Sequence, residues 1–139
     1  MRRKLVLLLL LFVVALAWAD DDSCKKPPPE LSIGGVKVGQ SRADVDQKAG
    51  AEVFVESDTH AVHYGNGVIV VFDSGGMVVN VNGPQLEIDG KPSWITTHKA
   101  LDKALGKGDA SEKSVRYPKF GLTAYLNHDG IVGFLLERP

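Results

Sequence analysis

From residue 29 onward the apolar residues come in short alternating runs separated by glycine turns, and the pattern runs through twice. Leu31 and Ile33 alternate with Ser32 and stop at Gly34-Gly35; 55 residues later Leu86 and Ile88 alternate with Glu87 and stop at Asp89-Gly90. Residues two apart share one face of a strand, so each run predicts a strand with Ser32 or Glu87 turned to the other side. A helical spacing follows in both halves. Ala43, Val45 and Ala49 form one side of a helix that Ser41 caps and Gly50 stops, and Ala100, Leu101, Ala104 and Leu105 do so between Thr97 and Gly106. At about eight residues neither helix persists alone in water, so both need a sheet to pack on.

Three strands are predicted after each helix. In the first half they are Val53 to Val55 running on to Ala61 to Tyr64, then Val68 to Phe72, then Met77 to Val81. In the second they are Val115 to Tyr117, Leu122 to Leu126 and Ile131 to Leu136. Four-residue loops ending in glycine, Asp73-Ser74-Gly75-Gly76 and Asn127-His128-Asp129-Gly130, join the last two strands of each set. The chain therefore reads as an α+β fold. A single domain over residues 29–139 is built from two tandem β-α-β-β-β repeats, 29–83 and 84–139, as an antiparallel sheet with two short helices packed on one face.

Matching the repeats predicts which sheet face is which, since a position polar in one copy is a poor core position in the other. Asn80 and Asn82 align with Phe134 and Leu136, and Ile69 and Val71 with Thr123 and Tyr125, which sets all of these on the face away from the helices. Val68, Val70, Phe72, Leu122, Ala124 and Leu126 are then the helix-facing core. The outer face is more apolar than a solvated sheet needs. Either the two repeats fold onto each other and bury it, or a partner covers it.

The N-terminal 28 residues follow a different pattern. Arg2, Arg3 and Lys4 precede 15 apolar residues from Leu5 to Ala19, and Ala17-Trp18-Ala19 supplies a small-x-small cleavage site. That is a signal peptide over residues 1–19, too short for a membrane span, and it implies a periplasmic or secreted protein. Residues 20–28 read as a flexible acidic and Pro-rich tether. Cleavage removes three of the 16 basic residues and none of the 17 acidic ones, leaving a net charge of −4. Nucleic acid is not the expected partner of such a chain. Cys24 is the only cysteine, so no intrachain disulfide forms; lipidation, an intermolecular disulfide and an inert thiol are its three readings. Membrane attachment follows only if Cys24 is lipidated or the leader is retained.

No catalytic residue, metal site or cofactor site is expected. His60 and His63 lie three apart, on opposite faces of a strand, and the glycine pairs lack the lysine and the strand-to-helix setting of a phosphate loop. Asp44 with Asp46, and Glu87 with Asp89, read as solvated acids. A hydrolase or small-ligand binder built around His63 or His128 is the remotest alternative. Tyr64, Tyr117, Tyr125 and Phe134 are the expected binding residues, because aromatic side chains dominate interface energies.

The pattern Gly39-Gln40-Ser41-x-x-x-Val45-x-x-x-Ala49-Gly50, with a later hairpin ending in Gly76-x-Val78, resembles small exported bacterial tandem-repeat proteins. That group includes the beta-lactamase inhibitory proteins and the small outer-membrane assembly lipoproteins. The second repeat, from Leu86-Glu87-Ile88-Asp89-Gly90-Lys91-Pro92 to Asp129-Gly130-Ile131-Val132, also resembles an uncharacterised bacterial domain of exported proteins. The inhibitor resemblance implies a sheet face that grips another protein with aromatics, and hence an inhibitor or immunity-type module acting on an envelope or secreted enzyme. The lipoprotein resemblance implies a structural envelope component tethered to the membrane.

Overall fold

The structure, a computed structural model, describes residues 26–139. The expected signal peptide, its expected cleavage after Ala19, most of the expected tether and Cys24 lie outside the described residues. Among the described residues, eleven strands and two α-helices follow in order: β1 (Leu31–Ile33), α1 (Arg42–Ala49), β2 (Glu52–Val55), β3 (Val62–Tyr64), β4 (Ile69–Phe72), β5 (Val78–Gly83), β6 (Leu86–Ile88), β7 (Lys91–Pro92), α2 (His98–Leu105), β8 (Asp109–Ala110), β9 (Ser114–Tyr117), β10 (Leu122–Asn127) and β11 (Gly130–Glu137). A 3₁₀ turn, Pro118–Phe120, links β9 to β10. The fold is α+β and every strand pair is antiparallel.

Both helices start and stop where their side chains dictate. Ser41 Oγ accepts from the Asp44 N–H at 3.3 Å and Thr97 Oγ1 from the Ala100 N–H at 3.2 Å, each satisfying a donor that the helix itself leaves open. Gly50 (φ +83°) and Gly106 (φ +90°) end them. The buried side is narrower than the spacing suggests: Val45, Ala49 and Leu101 are buried and Leu105 partly so, whereas Ala43, Ala100 and Ala104 are exposed.

Two sheets form. The larger runs β2-β3-β4-β5-β11-β10-β9-β8, so that strands from residues 52–83 fill one half and strands from 109–137 the other, joined along β5 and β11. The smaller is β1-β6-β7. Its central pair is Ser32 opposite Glu87, and the Glu87 carboxylate also accepts from the Gly35 N–H at 2.6 Å. Ser32 is buried against Glu87, and Glu87 is a structural acceptor rather than the solvated acid expected. Leu31, Ile33 and Leu86 from the small sheet join Val45 and Leu101 from the helices and Val62, Val70, Val81, Leu122 and Val115 from the large sheet in one core.

Two further expectations are corrected. The stretch from Val53 to Tyr64 is a hairpin, not one strand: β2 folds back on β3 through a turn in which His60 takes φ +57°, which gives the first half four strands in the large sheet. The second correction concerns β11. Phe134 and Leu136 are buried on the helix side, and Leu135 between them faces outward. The register slips by one residue between Tyr125 and Leu126, opposite Gly133 and Ile131, and a one-residue slip sends every following side chain to the other face. Position 82 therefore lies opposite 135, and the Asn80 and Asn82 alignment with Phe134 and Leu136 is one residue out of phase with the sheet.

Candidate binding face and its aromatic residues

With both helices and the small sheet on one side, the other face of the large sheet is left uncovered by the described residues. One row crosses nearly the whole of it: Phe54, His63, Ile69, Asn82, Leu135, Thr123 and Arg116, each opposite the next in register. Val71, Asn80 and the exposed Glu137 flank this row on one side, Tyr125 and Gly133 on the other. The centre is aliphatic and amide in character, with its formal charges at the rim. Ile69, Val71, Asn80, Asn82, Thr123 and Tyr125 lie where matching the two halves predicts. The two halves do not fold onto each other, because they share one sheet.

The face has an aromatic at each side. Tyr125 is 38% exposed, and Phe54 is 51% exposed with its ring stacked on His63 at 4.0 Å between centroids and 16° between planes. The His63 ring is held from the other direction, since Nε2 lies 2.7 Å from Glu56 Oε1. Glu56 in turn accepts from the Thr59 hydroxyl, and that bond first, then the His63 contact, holds its carboxyl below the usual range.

The remaining expected binding residues are not on this face. Tyr64 and Tyr117 are buried rings on the helix side, and Phe134 is 2% exposed. Each tyrosine carries its hydroxyl to a helix carboxylate: Tyr64 Oη to Asp46 Oδ1 at 2.8 Å, and Tyr117 Oη to Asp102 Oδ1 at 2.7 Å. Burial first, and then these acceptors, push the Tyr64 phenol up to about 12 and raise that of Tyr117 as well. Asp102 is held low by the Tyr117 hydroxyl and by the Gly108 N–H at 3.0 Å. Asp46, read from sequence as a solvated acid, is one end of such a tie. These tyrosines are structural pins, and Tyr125 alone of the four expected residues has an exposed ring.

Sequence reasoning passed over Trp94 and Phe54. Trp94 is 79% exposed at φ +53°, a conformation that costs a tryptophan strain, and it borders a cavity of about 290 Å³ that Leu86, Ile95 and Phe134 also line. A second cavity of about 240 Å³ opens near Pro29, Val38 and Phe120. The position of Trp94 just after Pro92-Ser93, in a stretch with no apolar period, was the available signal. Phe54 carried none, since it reads as one residue of an apolar run.

Among the described residues, no group of three or more His, Cys, Asp or Glu side chains is arranged to hold a metal ion, and no helix is long and apolar enough to cross a membrane. The partners of His63 are Glu56 and Phe54, and His128 lies on an exposed loop with Asp129 at 3.2 Å. His98 Nε2 lies 3.1 Å from Asp102 Oδ2, a close approach without hydrogen-bond alignment. Comparisons with protein-family models, with curated proteins and with solved structures give no match to this chain.

Proposed function

We propose that this chain is an exported, non-enzymatic protein-binding module, built from a duplicated unit, that holds its partner on the open face of the large sheet. An envelope or secreted enzyme is the partner that fits best, which makes the module an inhibitor or immunity-type protein. The observation that carries this reading is the composition of the face. Aliphatic and amide side chains fill its centre, and Phe54 and Tyr125 stand at its sides, as in the core of a protein interface, where aromatics gather and charges are few. The reading needs no cofactor, metal or nucleic acid.

The test is capture by the chain lacking its leader, set beside the double variant Tyr125→Ala, Asn82→Arg. Asn82 is at the centre of the face, between Ile69 and Leu135, so a bulky cation there obstructs docking without entering the core. A partner enzyme retained by the wild type, inhibited on titration and lost by the variant supports the reading. Equal retention by both removes the face from it.

A second reading, a structural component tethered to the envelope, is supported by the exposed Lys26, Pro27 and Pro28, which leave the fold as an extended lead. Membrane fractionation of Cys24→Ser separates the two, since loss of attachment favours the tether.

A further inference from the structure

The large sheet ends differently at its two edges. β8 is two residues long and contains Asp109. β2 is four residues long and pairs only with β3, so one row of its backbone N–H and C=O groups points away from the sheet. Three consecutive apolar side chains are exposed along it, Val53 at 64%, Phe54 at 51% and Val55 at 45%. Native sheets usually blunt such an edge with lysine, proline, a β-bulge or a covering element. β2 has no lysine or proline, and its one irregularity is a slip in register between Glu52 and Phe54. Its surroundings are acidic: five carboxylates between Asp44 and Asp58 stand against Arg42 and Lys48.

The geometry points to β2 as a docking edge for an extended segment of a partner protein, added as a ninth strand. That segment carries apolar side chains at alternate positions and Lys or Arg at the end that meets Glu56 and Asp58. Strand addition draws its affinity from the backbone ladder and its specificity from alternate side chains. The charge argues for a foreign strand over a second copy. Two copies of β2 laid antiparallel about Phe54 set Glu52 of one chain opposite Glu56 of the other, and like charges directly opposite are unfavourable. The edge adjoins the open face at Phe54, but its contacts are with backbone and do not require the face to bind.

The experiment is amide chemical-shift mapping of the isotope-labelled chain without its leader, titrated with the peptide acetyl-Lys-Arg-Val-Thr-Val-Thr-Val-amide. The expected result is saturable shifts at the amides of β2, lost when alternate peptide nitrogens are methylated and weakened about two- to fivefold by Asp58→Lys, a substitution on an exposed turn. Tyr125→Ala leaves these shifts unchanged, which keeps this test separate from that of the face. Absence of shifts at β2, their survival with the methylated peptide, or indifference to Asp58→Lys overturns the inference. Shifts at β2 that depend on protein concentration without peptide also overturn it, in favour of a second copy.

Discussion

The hydroxyl of Tyr117 donates to Asp102 Oδ1 at 2.7 Å, tying a strand of the large sheet to a helix of only two turns. Tyr64 and Asp46 make the same tie at 2.8 Å in the other half. Such short helices gain little from their own hydrogen bonds. Val45 and Leu101 press them against the sheet, and the tyrosines fix where along it they sit.

Removing the Tyr117 ring is therefore expected to cost about 3–5 kcal/mol, the usual loss for a large buried aromatic truncated to alanine. Tyr117→Phe keeps the packing and loses only the hydroxyl, so its cost is a minor part of that. Urea denaturation of the two variants checks the order. Equal losses would mean that the hydrogen bond, not the ring, dominates.

Stability falls on the acid side. Asp102 is held low first by the Tyr117 hydroxyl, and Asp73 first by the Met77 N–H and also by that of Gly75. Carboxyls held lower in the folded than in the unfolded chain contribute stability that is present above the unfolded value and lost as pH falls through the folded one, so the urea midpoint declines below about pH 5. Tyr117→Phe shallows this decline, because it removes the first cause of the Asp102 shift. A midpoint flat from pH 7 to about 2 contradicts the assignment.

On the alkaline side the sign reverses. A phenol raised to about 12, as Tyr64 is, holds its proton after the unfolded chain has released its own near ~10. Its stabilising contribution is complete below that lower value and disappears as pH rises toward the upper one. Ultraviolet titration of tyrosinate in Tyr64→Phe, compared with the wild type, shows a phenol of this range missing if the account holds.

Glu87→Ala tests the small sheet. The substitution removes the acceptor of the Gly35 N–H and the partner of the buried Ser32 hydroxyl, and a buried polar group left unpaired costs about 1–3 kcal/mol. A double change, Ser32→Ala with Glu87→Ala, recovers part of the loss by removing the orphaned hydroxyl.

The sequence made the helices legible to the residue, because Ser41, Thr97, Gly50 and Gly106 are local devices that read the same in any surroundings. Both hairpin loops were equally visible; in each the first side chain accepts from two backbone N–H groups, Asp73 from those of Gly75 and Met77 and Asn127 from those of Asp129 and Gly130. What stayed hidden depends on pairing between distant strands. The slip beside Tyr125 moves Leu135 outward and Phe134 inward, and nothing within residues 130–137 distinguishes the two phases. The hairpin between β2 and β3 was hidden for a different, local reason, since the turn at His60 lacks glycine or proline. Of the candidate site, Tyr125, Asn80 and Asn82 were legible through the alternation of their strands. The buried state of Tyr64 and Tyr117 was not, because it rests on Asp46 and Asp102 reaching them from helices.

The most direct test of the binding face compares the wild-type chain without its leader with Tyr125→Ala, Asn82→Arg for capture from envelope extract and culture medium. Urea denaturation run alongside should show Tyr125→Ala alone within about 0.5 kcal/mol of the wild type, as befits an exposed ring. The account predicts one enzyme enriched by the wild type, inhibited in proportion to added protein, and released by the double variant while that variant stays folded. Capture that is the same for both proteins, or an enriched enzyme whose activity is unaffected, contradicts it.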